Sequence, residues 1–200
     1  IGSITSSQWS SASLLTIPYI YISTMGENLR EASKVAILNA NYLKDRLKDY
    51  YTIKDINSNG RVGHEFIIDT SEFSKLNITE LDISKRLIDY SFHPPTMSWP
   101  RSKALMFEPT ESESKKELDR LVDALIKIRG EIKEIEDGNY TDNILKNAPH
   151  NLKQICDWKY DYSIEQAFYP LEYLKDNKFY PSVGRVDDIY GDKELLSCCR

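Results

Sequence analysis

The sequence predicts an α+β lobe, and three observations carry that reading. Two long stretches repeat their apolar residues every three to four positions. Two short runs flank the strongest turn signal in the chain, and the second alternates at the two-residue strand period. Beyond Gly138 both periods stop, while aromatic residues and prolines accumulate. At 200 residues, with 40% hydrophobic and 28% charged, the composition is that of a folded domain and excludes a disordered tail.

The elements follow in chain order. The apolar run from Leu14 to Ile22 is short, contains Pro18 and has no basic segment before it, which excludes a membrane span and a signal peptide. Residues 27–50 read as a long helix. Leu29, Ala32, Ala36, Ala40, Leu43 and Leu47 trace one stripe, and Val35, Leu38 and Tyr42 add a second apolar side, the pattern of a helix sandwiched between layers. Asn57-Ser58-Asn59-Gly60 marks a turn between strand-like runs at 51–56 and 61–69; in the second, Val62, His64, Phe66 and Ile68 share a face.

Thr79, with Asp82 three residues on, opens a helix that buries Ile83, Leu87 and Tyr90. Pro94, Pro95 and Pro100 forbid a helix through 93–100, leaving an ordered loop or extended segment. Ala104 to Phe107 is a buried strand ending at Glu108-Pro109. Ser114 and Glu117 form a capping box for a helix with Leu118, Leu121, Val122, Leu125, Ile128, Ile132 and Ile135 on one face. Burying each such side chain is worth roughly 1.5–3 kcal/mol, so this stripe must dock on the sheet, and Gly138 closes the helix. Residues 139–200 are too apolar for a tail and read as an irregular ordered arm laid across another surface.

Charge and motifs exclude several functions. Lys plus Arg is 26 against Asp plus Glu at 31, a net −5, which argues against a nucleic-acid partner. The 8 glycines form neither GxGxxG nor GxxxxGK[ST], so an independent nucleotide-binding domain is not expected. Cys156 is isolated and Cys198 and Cys199 are adjacent, the usage of reduced thiols in a reducing compartment. The sequons at Asn77 and Asn139 arise easily by chance and carry little weight in such a chain. A chain that begins with Ile1 is expected to be a processed or excised piece.

Three clusters could carry chemistry. His64 and Glu65 point to opposite faces of a strand, with His64 hydrogen-bonded at the core edge. The segment from His93 to Pro100 presents an imidazole, two hydroxyls and an indole on a proline-stiffened loop, either a functional wall or a braced crossover. Glu108, Glu111 and Glu113 gather where a strand gives way to a helix. The helix dipole accounts for Glu111 and Glu113, whereas Glu108 ends a buried strand where a pocket has room to form. The acidic residues lack the Asp/Asn spacing of a cation loop, no metal site is expected, and no nucleophilic triad or zinc pattern can be assembled.

The runs Ala36-Ile37-Leu38-Asn39-Ala40-Asn41-Tyr42-Leu43, His64-Glu65-Phe66-Ile67-Ile68-Asp69, Lys85-Arg86-Leu87-Ile88-Asp89-Tyr90 and Glu108-Pro109-Thr110-Glu111-Ser112-Glu113-Ser114 resemble the glycine dehydrogenase (decarboxylating) family, the P proteins of the glycine cleavage system. Ala148-Pro149-His150, Val183-Gly184-Arg185-Val186-Asp187 and Tyr190-Gly191-Asp192 extend the resemblance in order along the chain. It implies the small C-terminal domain of an aminotransferase-like, fold type I pyridoxal-phosphate enzyme. Residues 1–26 would end the large cofactor domain, 27–50 form the interdomain helix, 51–138 the small α+β domain and 139–200 the C-terminal arm.

The Schiff-base lysine, which the family carries in a His-Lys motif, would lie upstream, leaving this piece inactive alone. The implied chemistry is decarboxylation of glycine with pyridoxal 5'-phosphate as electron sink, followed by transfer of the aminomethyl group to the lipoyl arm of the H protein. The implied partners are the chain's own N-terminal portion and a second subunit, in the mitochondrial matrix of a eukaryote or the cytoplasm of a bacterium. His93, Thr96, Glu108, Thr110 and Glu111 would lie nearest substrate, and Ser11 would reach the cofactor phosphate of a neighbouring site. Ser10 stands where the family tends to have Gly, a change that strains a positive φ. Met106 stands where related aminotransferases carry a carboxylate-binding Arg. Leu14, Leu15, Ile17, Tyr19, Ile20 and Ile22 would contact the large domain. The alternative is a non-catalytic α+β binding or regulatory module.

Overall fold

The computed structural model describes residues 11–139 and 141–193. Ser10, the Cys198-Cys199 pair and the middle of the Asn139 sequon lie outside the described residues.

A short 3-10 turn, Ala12–Leu15, leads into helix α1, Thr16–Met25. Gly26, at φ 52°, turns the chain into α2, Asn28–Leu47. The expected stripe of α2 faces inward, with Ala40, Leu43 and Leu47 fully buried. Its second apolar side, at Val35 and Leu38, is exposed, and so are the apolar residues of α1.

Among the described residues, four short strands form one antiparallel sheet in the order β1-β2-β4-β3: β1 is Thr52–Lys54, β2 Phe66–Asp69, β3 Thr96–Met97 and β4 Ala104–Phe107. Register pairs Phe66 with Phe107 and Ile68 with Leu105, so these four share one face, and the two phenyl rings stack at 5.3 Å. That face packs with Leu118, Val122, Leu125, Ile128 and Ile132 of helix α4, Lys115–Glu136, as its 3.6-residue stripe required. Helix α3, Glu80–Asp89, adds Ile83 and Leu87.

Three local expectations change. The second strand begins only at Phe66, so His64 and Glu65 precede it and the two-residue alternation does not apply to them. Ser114 does accept the Glu117 N–H, at 3.2 Å, but the Glu117 carboxylate turns to Arg120 rather than back to the cap. The arm, finally, crosses this chain's own core. Its helices α5 (Ile144–Asn147), α6 (Lys153–Cys156), α7 (Ile164–Phe168) and α8 (Asp188–Lys193) are short, yet Ile144, Leu145, Tyr162, Ala167, Phe168 and Leu174 join the same hydrophobic cluster. Aromatic side chains, which lack helical periodicity here, supply much of that burial.

Candidate functional site

A cleft of about 520 Å³ opens where the linker between α3 and β3, the end of β4 and the first turns of α4 meet. It gathers His93 and Thr96 from the linker and β3, Met106 from β4, Glu108 and Glu113 from the segment that joins β4 to α4, and Glu117 and Arg120 from the first turns of α4, with Phe92, Pro94, Pro95 and Pro109 as apolar wall. Antiparallel pairing sets Thr96 directly opposite Met106. Of the six residues that the resemblance assigns to substrate or cofactor, His93, Thr96 and Glu108 therefore share one cavity.

The other three do not line it. Thr110 accepts a hydrogen bond on its carbonyl from Asn39 Nδ2 at 2.9 Å, which ties the β4–α4 junction to α2. Glu111 is half-buried beside it. Ser11 is exposed, its Oγ 2.8 Å from Ser13 Oγ. His64 also departs from expectation: its imidazole is solvent-exposed, with Nε2 3.8 Å from Glu65 and 3.9 Å from Glu108, so it is neither in the core nor opposed to Glu65.

Among the described residues, Arg120 is the one guanidinium or ammonium that lines the cleft. It meets Glu117 at 2.5 Å and lies over two rings, 4.3 Å from the Phe92 centroid and 5.0 Å from that of Tyr173. With Glu108 and Glu113 nearby, the lining is acidic. It offers hydroxyl, imidazole and carboxylate groups, suited to holding a small polar ligand by hydrogen bonds. Among the described residues no group of three or more His, Cys, Asp or Glu is placed to hold a metal ion, and no helix is long and apolar enough to cross a membrane.

Sequence reading missed a buried polar network that joins α3 and α4 to the arm. Arg86 has no exposed surface. It donates to Glu131 at 2.9 and 2.7 Å, to Asp89 at 2.9 Å, and to the carbonyls of Gln166 and Ala167. Asp89 also accepts from the His150 backbone N–H, and its carboxylate lies 2.7 Å from His150 Nδ1; His150 Nε2 meets Tyr162 OH at 2.9 Å. Burial alone would raise the Asp89 carboxyl, but the His150 hydrogen bond and the Arg86 charge outweigh it and hold the group below its usual range. A second buried carboxylate, Asp82, caps α3 through the Thr79 N–H at 2.8 Å and binds Lys146 and Arg185 of the arm. The signal lay in the spacing: Asp82, Arg86 and Asp89 step i, i+4, i+7 alongside the apolar stripe of Ile83, Leu87 and Tyr90.

Comparison with known proteins shows the family of the chain. The family described as "Glycine dehydrogenase, C-terminal domain" matches residues 32–150. Glycine dehydrogenase (decarboxylating) of Pelagibacter ubique is 50% identical over 205 residues, covering 100% of this chain and 22% of that protein. The mitochondrial glycine dehydrogenase (decarboxylating) of Pisum sativum is 52% identical over 202 residues, covering 98% and 19%. That of Nostoc punctiforme is 48% identical over 205 residues, covering 100% and 21%. The chain thus spans about a fifth of the length of the curated relatives it matches. It belongs to the glycine dehydrogenase C-terminal domain family.

Proposed function

We propose that this chain is the C-terminal lobe of a glycine decarboxylase of aminotransferase-like fold and forms one wall of its substrate cleft. The observation that carries the reading is the convergence of His93, Thr96 and Glu108 on a single cavity of small-ligand size in a member of this family. In this reading residues 1–26 end the large domain, 27–50 join the domains, 51–138 are the small domain and 139–200 its arm. The exposed Leu15, Ile17, Tyr19 and Ile20 of the N-terminal segment support a covering domain, because a helix apolar all round is ordinarily buried.

No lysine lines the cleft, so its residues fit one wall of a cofactor cavity and not its covalent anchor. Pyridoxal phosphate, when bound, supplies the electron sink that makes loss of the glycine carboxylate feasible. The residues of this chain act around that step. The His93 imidazole is available to hold or move a proton at either ring nitrogen, and the Thr96 hydroxyl donates to a substrate oxygen. Glu108 sets a negative charge at the mouth, while Phe92, Pro94, Pro95 and Met106 exclude water. Arg120 is already engaged by Glu117, and Met106 is neutral, so this wall offers the departing carboxylate no fixed cation. Thr110 and Glu111 act one step back, at the hinge into α4, and the exposed Ser11 hydroxyl is the contact offered to a cofactor phosphate of a neighbouring site.

A lipoylated H protein and a second subunit complete the proposed assembly. It would work in the mitochondrial matrix if the source is eukaryotic, as the name of the Pisum sativum relative suggests, and otherwise in the bacterial cytoplasm. The parent protein that carries this chain tests the reading. Borohydride reduction followed by peptide mapping should find pyridoxal phosphate on a lysine outside these 200 residues. A label on any lysine of this chain, or a parent that takes up no cofactor at all, would overturn it, the latter in favour of a non-catalytic module.

A further inference from the structure

Helix α3 ends in a Schellman turn: the Ser91 N–H donates to the Ile88 carbonyl at 2.9 Å and the Phe92 N–H to the Leu87 carbonyl at 3.0 Å. The residue that must take the left-handed conformation in this motif is ordinarily Gly, but here it is Ser91, at φ 63°. The same turn uses Gly138, at φ 74°, at the end of α4, and Asn77, at φ 56°, after Leu76. What Ser91 adds is its hydroxyl, which accepts the backbone N–H of Phe179 in the arm at 2.8 Å. Two further bonds from the arm reach the same stretch. Tyr173 OH donates to the Tyr90 carbonyl at 2.9 Å, and Lys178 Nζ donates to the Asp89 carbonyl. Arg120 closes the arrangement, sandwiched between the rings of Phe92, in the cleft wall, and Tyr173, in the arm.

Three consecutive residues, Asp89, Tyr90 and Ser91, are thus held by the arm, and Ser91 itself lines the cleft together with the next two, Phe92 and His93. We infer that the C-terminal arm is a positioning element for the cleft, with Ser91 and Tyr173 as the positioning residues that fix the Phe92–His93 wall through hydrogen bonds to the arm and to the end of α3. Its consequence for turnover rests on the reading of the cleft as a substrate wall; its structural content does not. Neither residue is assigned contact with substrate.

Hydrogen–deuterium exchange on the full-length parent protein tests the clasp separately from activity. Tyr173→Phe removes one arm bond and keeps the ring against Arg120, and Ser91→Gly removes another while favouring the left-handed turn. Each should speed exchange of the Phe92 amide, which the turn holds on the Leu87 carbonyl, about tenfold or more, with the interior amides of α4 unchanged. Ser91→Asn, which tolerates the same φ and carries an acceptor oxygen, should restore slow exchange. In the same preparations kcat for glycine should fall, by up to about 100-fold for a displacement near 1 Å, with less change in KM. Unchanged exchange at Phe92 in both variants would overturn the inference, and so would acceleration spread equally through α4, which reports general loosening. If exchange responds and the parent proves inactive toward glycine, the clasp stands and the functional reading fails.

Discussion

Arg86 keeps a full charge in the core because two carboxylates and two backbone carbonyls surround it. Removing one member of such a set leaves the others buried and uncompensated, which typically costs 3–5 kcal/mol. Arg86→Met should therefore lower stability by about that amount, read as a shift of the urea midpoint. Asp82 and Asp89 give the fold an acid limit. For Asp82, as for Asp89, burial would raise the carboxyl, but the hydrogen bonds from Lys146, Thr79 and Arg185 outweigh it and lower the group. A carboxyl lowered on folding binds fewer protons than in the unfolded chain. Its contribution is complete above the unfolded value, about 3.9, and is lost as pH falls below that toward the folded one. Stability followed by tryptophan fluorescence should decline between about pH 5 and pH 2, and Asp89→Asn should flatten that slope. Lys178 has the matching depression for a base: burial, partly offset by Asp89, pushes its amine down to about 8. Little of this was legible. His150 meets Asp89 across 61 residues of sequence, and no local pattern encodes such a partner.

Among elements, legibility followed periodicity. The α4 stripe was readable because its apolar positions pack into one core, with Leu118, Val122, Leu125, Ile128 and Ile132 buried and Leu121 and Ile135 partly so, and the helix cap because Ser114 sits three residues before Glu117. The box was only half formed, since Arg120 offers the Glu117 carboxylate a better partner than a backbone N–H. The sequence pattern extends β2 too far because Val62 and His64 continue its alternation, whereas the Val62 backbone N–H and carbonyl pair with the Asn41 side chain of α2. Helix ends carry two predictions. Ser114→Ala should cost about 1 kcal/mol by loss of the cap. Gly138→Ala, forced to positive φ, should cost about 1–2 kcal/mol. Both are measured by thermal unfolding.

At the scale of the molecule, the family was legible from long motifs, while the arm's route was not, because it is held by scattered aromatics and buried ion pairs rather than by a repeating face. Exposed Leu14, Leu15, Ile17, Tyr19, Ile20 and Ile22 form an apolar surface larger than isolated residues would. Produced alone, the 200-residue chain should self-associate in sedimentation velocity, and a monodisperse monomer at high concentration would count against a covering domain. The cleft is the center of the functional reading, and one experiment addresses it most directly: exchange of the glycine carboxyl with labelled bicarbonate by the full-length parent enzyme carrying His93→Ala. A fall of about 100-fold or more with cofactor absorbance retained is the expected result, in line with the usual contribution of a positioned proton-transfer group. Exchange at the unsubstituted rate would mean that His93 does not face the substrate, and that the cavity beside α4 is not the reaction cleft.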